Sequence, residues 1–352
     1  MYSGRKVWYN AGMDENAFFK AARAGLPGGA YLLCGDEPYS RAAAVRLVCD
    51  SLGDAARDMN LSAFTAPAAA DVINACESLP FFDERRVVTV READKDALSA
   101  LAAYAENVPP TTVLLILHDG KPRADSPLYK ALSKAGEGEG GRVIEFTRAD
   151  PARAQAFLEK RAKENGFALE RAAARQLVQW VGVDLAGLET ALLRVSGYVG
   201  AGNPVTLSAV EACVPPSTEY AIFAMLDSLI AGNRKAALSQ LSGMLSDGTD
   251  DPNRLASFFE GRFRLMLLAK RMLQNGAAEA EIVREIGGSP FAAKRTVANA
   301  KKCTLPQLSA AVTAFADVLG AQRRGEADSE YALLAAVFGF LTFGGADAGA
   351  QA

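Results

Sequence analysis

Residues 30–146 repeat one rhythm: a short apolar run, a break, then a segment whose apolar positions recur every three or four residues. The runs are Ala30–Gly35, Met59–Phe64, Arg86–Val90, Thr111–Leu117 and Arg142–Phe146. Their length, β-branched content and flanks predict strands. The segments between them predict helices. In Ser40–Leu52, residues Ala43, Val45, Leu47, Val48 and Leu52 fall mostly on one face. In Asp71–Leu79, Val72, Ala75, Cys76 and Leu79 share a face, Asp71 is placed to cap and Pro80 ends the helix. Ala97–Val108 and Ser126–Gly136 complete the set. Apolar strands alternating with helices predict a parallel sheet covered on both faces.

Beyond Phe146 the strand pattern nearly stops. Asp150 and Pro151 open a helix that Gly166 closes, and Glu170–Gly182 and Leu185–Gly200 extend a small bundle to about Cys213. Val214–Tyr220 holds Pro215 and Pro216 side by side and predicts a linker. Helical periodicity then resumes over Ile222–Phe343. The expected domains are an α/β domain over 1–146, a small helical domain over 147–214, a larger helical domain over 217–345 and a disordered tail over 346–352.

Half of the 352 residues are apolar, enough for a core in each domain. No apolar run is long enough for a membrane span, and "MYSGRKVWYNAG" lacks the apolar core of a signal peptide. Cys34, Cys49, Cys76, Cys213 and Cys303 are scattered without a CxxC pair, which suits reduced thiols in a cytoplasm. The net charge of −3 implies that any DNA contact is local or shared with partners.

A parallel sheet followed by a helical bundle is the layout of a nucleotide-driven ATPase, whose first strand–loop–helix would cradle phosphates through GxxxxGK[ST]. Here that loop reads Gly35-Asp36-Glu37-Pro38-Tyr39-Ser40-Arg41: one glycine, two carboxylates, no lysine. The third strand runs into Arg91, Glu92 and Asp94 rather than an acidic metal-binding pair. His118, the single histidine, rules out a His-rich metal site and reads as a polar strand end. Carboxylates elsewhere sit beside basic residues, as on solvated helix faces. No constellation carries a reaction, and no cofactor is expected. Arg254, Arg262, Arg264, Lys270 and Arg271, then Lys294, Arg295, Lys301 and Lys302, then Arg323 and Arg324, are either ordinary helix faces or nucleic-acid contacts.

One stretch is out of keeping with its surroundings. In "LPFFDERR", Phe81 and Phe82 follow a proline and precede four charges, on a short loop between a helix and a strand. Adjacent residues there cannot easily both point inward. Either at least one ring is exposed, as at a hot spot with a polar rim, or both fold back beneath the helix.

The order of segments resembles the delta subunit family of bacterial DNA polymerase III. The resemblance is carried by "YLLCGDEPYSRAAAV", "SLPFFDERRVVTV", "TTVLLILHDGKPRADSPLYKAL" and "VIEF" in the first domain. It continues through "RAKENGFALERAAARQLVQWVGVDLAGLETALLRVSGY" in the second and "EYAIFAMLDSLIAGNRKAALSQLSGML", "FRLMLLAKRML" and "GEADSEYALLAAVFGF" in the third. No single motif is as specific as a phosphate loop; the length and order of the matches carry it. The resemblance implies an AAA+-like α/β domain, a helical lid and a C-terminal helical collar. It implies a non-catalytic subunit of a nucleotidyltransferase holoenzyme acting in DNA replication. The implied partners are the sliding clamp, which it opens, the other clamp-loader subunits, joined through the collar, and primed DNA within that complex. It assigns clamp binding to Phe81 and Phe82, with Leu79 and Arg85 as supporting contacts. Arg324 stands where the family more often has lysine. Two rival readings remain: an active AAA+ ATPase, or a stand-alone DNA-binding module.

Overall fold

The computed structural model describes residues 13–134, 142–246, 251–288, 290–325 and 329–346. The N-terminal stretch and nearly all of the expected disordered tail lie outside the described residues. The chain divides into two compact units, one comprising Met1–Val178 and Gly182–Val210, the other Gln179–Val181 and Glu211–Ala352.

The first unit opens with α1 (Glu15–Ala24), β1 (Gly29–Cys34), α2 (Pro38–Cys49), α3 (Asp54–Asn60), β2 (Leu61–Thr65) and α4 (Ala69–Glu77). It continues through β3 (Arg86–Arg91), α5 (Lys95–Tyr104), β4 (Thr112–Leu117), α6 (Pro127–Lys134) and β5 (Val143–Glu145). The strands form one parallel sheet in the order β2-β3-β4-β1-β5. The AAA+-like α/β layout expected from the sequence is therefore present. Every residue of β1 is buried, because both faces of the sheet are covered. Tyr31 and Leu33 point to one face, into a core with Phe18 of α1, Val45 and Val48 of α2, and Phe146. Ala30, Leu32 and Cys34 point to the other, toward Val72 and Cys76 of α4 and Leu101 of α5. β2, at the edge, is only partly buried.

Local chemistry sets the element ends and shifts some of them from the expected places. α2 starts at Pro38 rather than Ser40, because the Glu37 side chain accepts a hydrogen bond from the Tyr39 N–H and caps it. α4 starts at Ala69, so Asp71 lies in its first turn and favours the positive helix end from there instead of capping it. α4 ends at Glu77, before Pro80 is reached, and the Ser78 hydroxyl donates back to Asn74 O at 2.9 Å. Two helices absent from the sequence reading, α1 and α3, precede β1 and β2. α1 is capped by Asp14, which accepts from the Ala17 N–H at 2.7 Å, and it buries Phe18 edge-on against Phe146.

α7 (Pro151–Glu164), α8 (Arg171–Val181), α9 (Leu185–Val199) and α10 (Leu207–Cys213) follow. Asp150 caps α7 and Pro151 occupies its first turn, as the sequence predicts. Tyr39 of α2 donates to Glu189 of α9 at 2.6 Å and stacks edge-on against Phe157 of α7. Glu189 also pairs with Arg161, and Arg153 pairs with Glu15.

The second unit holds α11 (Thr218–Ile230), α12 (Arg234–Ser246), α13 (Pro252–Gln274), α14 (Glu279–Ile286), α15 (Pro290–Lys302), α16 (Leu305–Arg323) and α17 (Ser329–Ala346). Its core centres on Phe259 and Phe263 of α13 against Phe315 of α16, with ring centroids 5.4–5.5 Å apart. A capping box between Thr304 and Gln307 starts α16. No helix among the described residues is long and apolar enough to cross a membrane.

Candidate interaction site

The loop after β1 is where a nucleotide would be held, and its own side chains fill it. Glu37 is 3% exposed, at the N-terminus of α2 where a phosphate would otherwise meet the backbone N–H groups. Burial raises its pKa; hydrogen bonds from the N–H groups of Tyr39 and Ala149 and the charge of Arg153 act in the opposite sense. Arg41, also buried, donates to Gly35 O at 2.8 Å and His118 O at 3.0 Å and pairs with Asp119. Gly35 has φ of 110°, and a Cβ there would lie 2.2 Å from Phe146 O. A triphosphate would meet a carboxylate at the helix end and a cation already committed to the loop's own carbonyls. These residues do not fit a nucleotide. Among the described residues no group of three or more His, Cys, Asp or Glu side chains could hold a metal ion.

The loop between α4 and β3 presents the opposite picture. Leu79 is 81% exposed, Phe82 90% and Phe81 49%. The two rings touch edge-on, their centroids 4.3 Å apart. Neither folds beneath α4, whose inward face is Val72 and Cys76. Phe82 adopts φ of 52°, a left-handed conformation rare for a bulky residue. Asp83 turns the chain just after it: its carboxylate accepts from the N–H groups of Glu84 at 2.6 Å and Arg85 at 3.3 Å. Arg85 does not reach outward with the rings. Its guanidinium donates to Leu26 O at 2.7 Å and packs over Gly25 at the end of α1. On the other side, the buried side chain of Asn60 grips the backbone of Phe81. Sequence reasoning missed Asn60, because it merged Met59 and Asn60 into β2; a polar residue directly before an edge strand was the available signal.

The basic positions singled out from the sequence are largely engaged within the chain. Arg262 pairs with Glu219, Arg264 with Glu260, Arg295 with Asp227 and Lys301 with Glu279, while Lys270 donates to Lys301 O. Arg295 also stacks on Phe223 and Tyr220.

A five-stranded parallel sheet with a self-filled first loop, a helical bundle and a second helical unit define an AAA+-like fold that carries an exposed apolar loop between α4 and β3. The descriptions "DNA polymerase III, delta subunit" and "DNA polymerase III delta subunit, C-terminal domain" match residues 31–138 and 219–340, together more than half of the chain. The chain belongs to the DNA polymerase III delta subunit family. DNA polymerase III subunit delta of Bacillus subtilis (strain 168) is 24% identical over 331 residues, covering 90% of this chain and 93% of that protein. The solved structure of Bacillus subtilis DNA clamp loader delta protein (YqeN) superposes with a TM-score of 0.71 at 22% identity, covering 93% of this chain and 99% of that one. At that identity the likeness speaks for the fold.

Proposed function

We propose that this chain is a non-catalytic clamp-loader subunit that grips the sliding clamp with Phe81 and Phe82 and holds it open for loading onto primed DNA. The observation that carries the reading is an exposed, touching pair of phenylalanines on a tethered loop, in a chain of this family. Leu79 widens the apolar surface, Asp83 and Glu84 supply a polar rim, and Arg85 supports the contact from beneath by holding the loop to α1. Such an arrangement has the anatomy of a hot spot.

The action is mechanical. A bound subunit shifts the clamp toward an open form only by the difference in its affinity for the open and closed forms. The energy of ATP enters through other subunits, which govern access to the ring pair. The second unit joins this chain to them, and primed DNA is met within the assembled complex. Membership in the family supports this division; the self-filled loop at Glu37 and Arg41 supports the absence of nucleotide chemistry here.

The test is surface plasmon resonance between the purified chain and its cognate clamp, with Phe81→Ala/Phe82→Ala alongside. Each hot-spot aromatic contributes on the order of 2 kcal/mol, so the double variant is expected to bind at least roughly a hundredfold more weakly. It should melt close to the parent temperature, because exposed rings contribute little to the core. Retained clamp affinity in the folded double variant would sink the reading. Primed-DNA binding by the isolated chain at physiological salt, without the clamp, would favour a stand-alone DNA-binding module.

A further inference from the structure

Asn60 is the last residue of α3, and no part of it is exposed. Its carboxamide makes two bonds to a single residue: Nδ2 donates to Phe81 O at 2.8 Å, and Oδ1 accepts from the Phe81 N–H at 2.7 Å. The backbone of Phe81 has one donor and one acceptor, so the pairing also fixes which way the amide is turned. Both bonds span 21 positions of sequence and fall on a loop whose residues are all exposed or half-buried.

The residue after the gripped peptide is Phe82, with φ of 52° and its ring 90% in water. A bulky residue leaves that conformation unless its surroundings impose it, and two touching apolar rings would bury more surface by folding back. Asn60 holds the chain immediately before Phe82, and the Arg85–Leu26 bond holds it shortly after.

Resting on the clamp-binding reading above, we propose that Asn60 is a positioning residue. It preorganises the phenylalanine pair in its outward form before the partner arrives. Ordering a loop on binding weakens affinity, and a loop ordered in advance avoids that loss. Asn60 touches no partner in this scheme; it acts wholly through Phe81 and Phe82. An ionised aspartate at this position would accept from the Phe81 N–H but leave the Phe81 C=O without a donor.

The experiment uses the full chain and two variants. Asn60→Ala removes both bonds. Asn60→Asp keeps the volume and the acceptor but loses the donor, and it serves if the alanine variant does not fold. Amide exchange in the free protein is the first readout. Protection of the loop around Phe81 is expected to fall by about tenfold or more, with β1 and β3 still protected as in the parent. Clamp affinity by surface plasmon resonance is the second, with an expected loss of roughly tenfold from the missing bonds and the lost preorganisation. The third is the same substitution in the Phe81→Ala/Phe82→Ala background, where no further loss of residual binding is expected, because the rings it positions are gone. A merely structural role would weaken both backgrounds alike. Unchanged loop exchange, unchanged clamp affinity, or an equal loss with and without the rings would overturn the proposal. If the parent chain itself does not bind the clamp, the functional reading falls, and exchange alone decides whether Asn60 positions the loop.

Discussion

Phe82 carries a steric and a hydrophobic burden at once: a left-handed backbone and a ring almost fully in water. Neither helps folding, which separates binding from stability at one position. Phe82→Gly frees the backbone while removing the ring. Glycine adopts the left-handed region without the ~1–2 kcal/mol cost to other residues, but loses more entropy on folding. The melting temperature is therefore expected to lie close to the parent's, while clamp affinity drops by about tenfold or more; a loss of stability by calorimetry well beyond glycine's entropic cost of roughly 0.5–1 kcal/mol, toward the roughly 3–5 kcal/mol of a core phenylalanine, would show that the ring belongs to the core after all. Glu37 is the opposite case, a buried carboxylate whose pKa is raised by desolvation above its ordinary 4.5. Between that value and the raised one, the folded state keeps a proton that the unfolded chain gives up. Stability therefore falls as pH rises through the window, and the burial penalty is fully present above it. Glu37→Gln keeps an acceptor for the Tyr39 N–H and removes the penalty. Its melting temperature relative to the parent is expected to be highest near about pH 7 and to converge on the parent's toward about pH 4. A gap that widens in acid would contradict the assignment of burial as the dominant cause.

At the scale of elements, the self-capped start of α2 makes a further prediction: the isolated chain gives no calorimetric signal for ATP with magnesium at micromolar concentrations. A helix N-terminus attracts anions through its free N–H groups, but here the Tyr39 N–H is already bound to Glu37, and Arg41 faces backbone carbonyls. Micromolar affinity would mean that the loop reopens. This loop was legible in the sequence because a phosphate loop requires particular residues at fixed spacing, and their replacement by Asp36 and Glu37 is visible without coordinates. The five strands were legible for a related reason: a sheet buried on both faces writes apolar runs directly into the chain, as in β1 and β4. What escaped were two helices, one too short to show a period and one lying ahead of the alternating pattern. α3 spans 7 residues, too few for a helical period to show, and its end was absorbed into β2. α1 had a cap at Asp14 and a stop at Gly25 but stood ahead of the alternating pattern. The exposure of the ring pair was legible only as a conflict between two large apolar residues and their polar setting. Its resolution depended on long-range bonds from Asn60 and Arg85, which no local pattern encodes.

Over the whole molecule, the question is whether two functions reside in two separable pieces. The exposed rings lie in a unit with its own sheet core on both faces, from Phe18 to Phe146. The second unit has an independent core around Phe259, Phe263 and Phe315, which draws its residues from Ile222 onward. Pro215 and Pro216 stand in the unstructured stretch between α10 and α11, where neither proline can donate a backbone hydrogen bond. Each unit has its own apolar core, so each is expected to fold without the other. Deleting residues 217–352 is therefore expected to leave a fragment with a cooperative melting transition and clamp affinity within about threefold of the full chain, since Leu79, Phe81, Phe82, Asn60 and Arg85 all remain. The same fragment is expected to be lost from a reconstituted loader on size-exclusion chromatography, because the surface proposed to meet the sister subunits has gone with α11–α17. Two results would refute the division. A fragment that co-elutes with the loader as the full chain does would place the assembly surface in the first unit. A fragment that folds, as judged by its melting transition, but no longer binds the clamp would show that the second unit contributes to the contact itself.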